Sequence, residues 1–253
     1  MMNMRKLFAT VALVAGGLMA AQAATAGDKI RIATEGAYSP FNMVDSSGEL
    51  IGFDVEIAKA LCAEMAADCE IVAQDWDGII PGLRAKKYDA IIASMSITEE
   101  RMRVVDFSEK YYSNVLAFVT PEGSDIEVTK AGLKGKTVGA QRATIAGQYL
   151  EDNLGDVVDV KLYDTQDNAY LDLASGRLDA LLSDKFPAYD WLRSEEAKGF
   201  AFKGEDIDIN DEIGIAVRKG DALKDKFSAA IKAIVADGTY AKINEKYFPF
   251  SIY

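Results

Sequence analysis

One order of elements occurs twice along this sequence, and that repetition limits the fold more than any other feature. From Lys29, a short apolar strand over Ile30 to Thr34 leads through a polar loop to a helix from about Asp54 to Met65. Val55, Ile57, Ala58, Leu61 and Cys62 recur there at helical spacing. A strand over Glu70 to Gln74, a helix from about Trp76 to Lys86 and a strand over Asp89 to Ser94 complete a βαβαβ unit. The same order returns as strand Thr137 to Gln141, helix from about Thr144 to Asn153, strand Val158 to Tyr163, helix from about Asp167 to Ser175 and strand Asp179 to Ser183. The echo reaches single residues. Lys87-Tyr88-Asp89-Ala90-Ile91-Ile92-Ala93-Ser94 and Arg177-Leu178-Asp179-Ala180-Leu181-Leu182-Ser183-Asp184 both run from a basic residue through Asp-Ala into an apolar strand that ends in polar groups. Alternating strands and helices make parallel sheets, so the expected class is α/β with two lobes.

Two further runs, Asp106 to Thr120 and Ile213 to Val217, read as crossover strands. The C-terminal part reads as a helix carrying Leu223, Phe227, Ala230, Ile231 and Ile234 on one face, a break at Asp237-Gly238, and a helix from about Thr239 to Tyr247. Two helices without strands cannot form a domain, so they are expected to pack on the first lobe. That makes lobe 1 discontinuous, residues 27–114 and 213–253, with lobe 2, residues 115–212, inserted. Ligands of doubly wound sheets sit beyond the carboxyl ends of the strands. Glu35, Tyr38, Trp76, Ser94, Ser96, Thr98 and Arg101 collect at those ends in the first unit, and Gln141, Arg142, Thr144, Ser183 and Asp184 in the second.

Composition removes several chemistries. There is no histidine, which excludes Ser-His-Asp and Cys-His catalysis and weakens any metal-site reading. The net charge of −12 argues against broad attraction to nucleic acid or to an anionic membrane. At the N-terminus, Arg5 and Lys6 precede an apolar run from Leu7 to about Ala21, followed by small residues in Ala21-Gln22-Ala23 and Ala24-Thr25-Ala26. These are the three regions of a secretory signal over residues 1–26, cleaved after Ala23 or Ala26. No later run comes closer to spanning length, so no membrane anchor is expected in the mature protein. Export to an oxidising compartment lets Cys62 and Cys69, at a helix end and a strand start, pair as a structural staple.

Several runs resemble a known family. They are Ala33-Thr34-Glu35-Gly36-Ala37-Tyr38-Ser39-Pro40-Phe41, Gly52-Phe53-Asp54-Val55, Ala93-Ser94-Met95-Ser96-Ile97-Thr98-Glu99-Glu100-Arg101, Tyr170-Leu171-Asp172-Leu173-Ala174-Ser175-Gly176-Arg177-Leu178-Asp179-Ala180, and Asp237-Gly238-Thr239-Tyr240. Across essentially the whole mature chain the sequence is similar to the periplasmic solute-binding proteins of polar amino-acid ABC transporters, in the group around the histidine- and lysine/arginine/ornithine-binding proteins. The resemblance implies the two-lobed type II periplasmic-binding fold, two βαβαβ lobes joined by two crossover strands. It also implies a monomer without cofactor that closes on one amino acid and delivers it to an inner-membrane permease. The spacing of Cys62 and Cys69 is also similar to the disulfide of the histidine-binding group.

The resemblance assigns roles residue by residue. Arg101 would pair bidentately with the ligand α-carboxylate, for which a planar guanidinium is suited. Ser96 would contact it through backbone NH and hydroxyl, and the Ser94 carbonyl would accept from the ammonium. Asp184 matches the lobe-two carboxylate that binds the α-ammonium. Tyr38 and Trp76 fall where side chains flank the ligand, and aromatic faces accept an alkyl stem or a guanidinium. Glu35 matches an aspartate that contacts a cationic ligand side chain, so a basic amino acid is expected. Gln141, Arg142 and Thr144 belong to the lobe-two anion loop, where Thr144 stands at a helix N-terminus that favours a carboxylate. There the run Arg142-Ala143-Thr144-Ile145 departs from the Gln-Gly-Thr-Thr of the histidine binder. Arg142 therefore leaves open a second ligand carboxylate, as in an opine, or a pair with a surface acid. An enzymatic alternative exists on the same fold, the cyclohexadienyl dehydratases, with Glu35 as the acid.

Overall fold

The structure, a computed structural model, describes residues 29–253; the export signal expected at 1–26 lies outside the described residues. Strand β1 (Ile30–Thr34) opens the chain, and a meander of short strands follows, β2 (Ala37–Tyr38), β3 (Asn42–Val44) and β4 (Leu50–Ile51). Helix α1 (Phe53–Glu64), β5 (Cys69–Ala73), α2 (Trp76–Arg84), β6 (Ala90–Ile91) and the single-turn α3 (Glu99–Met102) lead to a long strand, β7 (Val105–Pro121). The second run of alternating elements is β8 (Thr137–Gln141), α4 (Ile145–Leu154), β9 (Asp159–Tyr163), α5 (Gln166–Ala174), β10 (Ala180–Asp184) and α6 (Lys185–Trp191). A second long strand, β11 (Phe200–Arg218), and helices α7 (Leu223–Ala236) and α8 (Thr239–Tyr247) close the chain.

The strands form one sheet in the order β5-β1-β6-β11-β7-β10-β8-β9, beside the separate β2-β3-β4 meander. β5, β1 and β6 pair in parallel at one end, and β10, β8 and β9 at the other. Between them β7 and β11 run antiparallel, from Pro121 opposite Phe200 to Val105 opposite Arg218. β6 pairs with the C-terminal end of β11, and β10 with the C-terminal half of β7. Each half of the sheet is thus tied to the central pair at a different place along it.

Both sheet faces are covered, and the strands show it. In β1, Ile30 and Ile32 enter one buried cluster while Ala33 enters the cluster on the opposite face. In β10, Leu182 and Leu181 divide in the same way. Burial on both faces is why these strands read as continuous apolar runs. Helices α7 and α8 pack on α1, as two strandless helices must, and bury Phe227, Ile231, Ile234 and Ile243 in the β1 cluster. Cys62 in α1 and Cys69 at the head of β5 form the expected disulfide, with Cα atoms 6.2 Å apart.

Candidate functional site

The strand ends singled out in the sequence meet in one cavity. Glu35, Tyr38, Trp76, Ser94, Ser96 and Arg101 line it from the β1 and β6 side, and Gln141, Thr144 and Asp184 from the β8 and β10 side. Of the residues to which the resemblance gives a ligand role, Arg142 alone is missing from this lining; Thr98 and Ser183, also at the strand ends, do not line it either.

Arg101 is placed by a helix start. Thr98 caps α3, its hydroxyl accepting from the Arg101 NH at 3.2 Å, so the side chain leaves the first turn at a fixed angle. The guanidinium donates to the carbonyls of Ser96 and Ala143, both at 2.9 Å, and its centre lies 5.3 Å from the Trp76 ring centroid. The Ala143 carbonyl belongs to the turn before α4, so Arg101 touches both halves of the sheet. Loss of water pulls its pKa below the ordinary guanidinium range, against the opposing pull of Asp211 and Asp184.

The opposite wall is acidic. Asp184 ends β10 and is 5% exposed. One carboxylate oxygen accepts from the Tyr38 hydroxyl at 2.6 Å, and the other has no hydrogen-bond partner among the described residues. Burial pushes its pKa well above the usual carboxylate range, and the nearby Asp211 carboxylate adds to the effect. Asp211 itself is buried in β11 and accepts from the Asn114 amide at 2.9 Å. Neither Asp211 nor Asn114 is among the sites expected from sequence. The available signal is the alternation Ile207, Ile209, Asp211, Ile213, Ile215, in which an acid takes an inward apolar slot.

Glu35 lies where the chain leaves β1, and Gln141 where it leaves β8; the Gln141 amide donates to Glu35 at 2.7 Å. Burial raises the Glu35 pKa to about 7, opposed by that hydrogen bond. Thr144 caps α4, accepting from the Gly147 NH at 3.1 Å, which leaves the other free NH groups of the helix start beside the cavity. Arg142 turns away from the cavity to the exposed Asp77 at the start of α2, with Nε 2.6 Å from the carboxylate. Of the two roles the sequence left open for it, this is the pair with a surface acid.

Ser94 has a positive φ of 51°, which re-aims the chain after β6. Its hydroxyl donates to Asp54 at 3.0 Å, and its NH donates to the Tyr111 hydroxyl, which donates to Asp54 at 2.6 Å. With the Asn42 amide also on Asp54, the acid of the Gly-Phe-Asp run is a buried clamp behind the cavity floor. Among the described residues no cluster of three or more His, Cys, Asp or Glu could hold a metal ion, and no helix is long and apolar enough to cross a membrane.

A cavity that sets a guanidinium on one wall, and a buried, half-satisfied carboxylate together with free helix NH groups on the other, is built for a small zwitterion. The profile of the bacterial extracellular solute-binding proteins, family 3, matches residues 30–250, and the chain belongs to that family. It is 45% identical over 236 residues to the L-arginine-binding protein of Pseudomonas aeruginosa, covering 90% of this chain and 91% of that protein. It is 38% identical to the lysine/arginine/ornithine-binding periplasmic protein of Escherichia coli, over 99% of both. An ancestral arginine-binding protein bound to arginine superposes with a TM-score of 0.82 at 38% identity, covering 87% of this chain and 98% of that one. The fold is that of the type II periplasmic binding proteins.

Proposed function

We propose that this protein is the periplasmic receptor of an ABC importer and binds a basic amino acid in the cavity between two lobes, 27–114 with 213–253 and 115–212. The reading rests chiefly on Arg101 and Asp184 facing one cavity from opposite halves of the sheet. The ligand carboxylate pairs with the Arg101 guanidinium and with the NH groups at the start of α4. The α-ammonium is held by Asp184 and the Ser94 carbonyl. The side chain runs between Tyr38 and Trp76 toward Glu35, whose buried carboxylate calls for a cation. Each end of the zwitterion engages groups from both lobes, so its binding energy favours the closed arrangement over the open one. The monomer then presents the loaded, closed form to a membrane permease.

The engagement of Arg142 by Asp77 favours a simple amino acid over an opine, because the cation a second carboxylate would require is already paired. Isothermal calorimetry against arginine, lysine, ornithine and histidine tests the reading. Submicromolar to micromolar binding of at least one is expected. Arg101→Ala is expected to lower that affinity by two orders of magnitude or more, since breaking a buried charge pair costs about 3–5 kcal/mol. Unchanged affinity in that variant would remove the assignment.

A further inference from the structure

Three oxygens, Asn114 Oδ1, Asp184 Oδ1 and Asp211 Oδ1, are buried without a hydrogen-bond partner among the described residues. Their residues are no more than 5% exposed. The topology gathers them. Asn114 and Asp211 are opposite one another in the central β7–β11 pair, and Asp184 pairs with Leu116, two residues further along β7. The Asn114 amide donates to Asp211 at 2.9 Å. Ser96 and Arg101 face Asp211 from the segment before β7, and Tyr38 faces Asp184 from the meander. β11 makes room for the acid with register shifts and a left-handed residue, Asn210, at φ 53°.

Two adjacent buried carboxylates cannot both stay ionised without a cation. Arg101, the cation that acts on both, gives its hydrogen bonds to the Ser96 and Ala143 carbonyls. Within the amino-acid reading above, on which this step rests, the ligand carboxylate draws on Arg101 further. The negative charge at the Asp184 end is then left for the α-ammonium to balance. We propose that Asp211 is a second acidic residue of the ammonium side of the site, a positioning residue that acts through Asn114 and Asp184 and makes the cavity select ligands carrying an α-ammonium. Asp211 is not required to touch the ligand. Its charge deepens the negative potential where the ammonium sits, and its bond to Asn114 fixes the amide that neighbours Asp184.

The test is a comparison of L-arginine with 5-guanidinopentanoate, which is arginine without its α-amino group, by calorimetry on the full chain. Asp211→Asn keeps the shape and removes the charge. It is expected to weaken arginine at least tenfold while the affinity for 5-guanidinopentanoate stays within twofold or improves. Equal weakening of both ligands would make Asp211 a purely structural residue, and an unchanged arginine affinity would make it irrelevant; either overturns the proposal. Should Asp211→Asn fail to fold, Asp211→Ser gives the same comparison. If the wild-type protein binds another α-amino acid instead of arginine, that ligand and its deamino counterpart take their place. If it binds no α-amino acid, the wild-type data alone show that the receptor reading has failed, and this inference with it.

Discussion

Asp54 shows how much a single residue behind the site can determine. Its carboxylate accepts from Asn42, Ser94 and Tyr111, and it is fully buried without a cation. Burial raises its pKa to about 6, partly offset by those hydrogen bonds. A carboxylate whose pKa is higher in the folded than in the unfolded chain binds more protons when folded, so its contribution to stability falls as pH rises from about 4 to 6. Asp54→Asn is expected to flatten the pH dependence of urea denaturation in that window. Asp54→Ala strands buried donors at about 1–3 kcal/mol each and should cost about 3 kcal/mol or more. A loss under 1 kcal/mol in the alanine variant would mean that water replaces the carboxylate and that no clamp exists.

At the scale of elements, the turn into α1 depends on Gly52. Its φ of 122° is open to glycine and strained for other residues, and a Cβ there would meet the backbone oxygens of Phe41 and Pro40, the latter at 2.8 Å. Gly52→Ala is expected to lose about 3 kcal/mol in the same denaturation measurement, because backbone atoms cannot move aside as a flexible side chain can. Full wild-type stability would show that the turn relaxes. Which elements were legible in the sequence follows from burial. β1, β8 and α8 match their expected bounds, since apolar periodicity and a clear break define each. Strand Asp89 to Ser94 contracts to β6, Ala90–Ile91, because Ser94 leaves the sheet to meet Asp54. β11 extends far upstream of Ile213, through a half-exposed, acid-rich stretch whose alternation is masked by its charges. The β2–β4 meander and α6 are too short to declare a period. The cavity lining was largely legible, because chemistry collects at strand ends. Asp211 and Asn114 were not, since they lie inside strands where side-chain direction depends on register and bulges.

Across the whole molecule, polar bonds join the two halves of the sheet around the cavity mouth: Tyr38 to Asp184, Ser39 to Asp190, Glu35 to Gln141, and Asp77 to Arg142. The last is exposed on both sides, and such a pair contributes about 0–1 kcal/mol and is screened by salt. Asp77→Asn is therefore expected to weaken ligand binding up to about fivefold, through faster release, with the difference vanishing in 1 M salt. A larger, salt-independent effect would place Asp77 in contact with the ligand. Glu35 has the opposite character. Closing over its carboxylate without a cation raises the pKa from about 4.5 to about 7, helped by Asp167, Asp75 and Asp77 nearby. A neutral amino acid must therefore bind with uptake of a proton, and its affinity should fall as pH rises from about 4.5 to 7, by at most tenfold per pH unit. A cationic side chain holds Glu35 ionised, so the affinity for arginine should stay level through that window. Calorimetric titrations of arginine and glutamine between pH 4.5 and 8 are expected to diverge with rising pH, and in Glu35→Gln the two curves should run parallel. Parallel curves in the wild-type protein would mean that Glu35 does not face the ligand side chain, and basic selectivity would then need another origin.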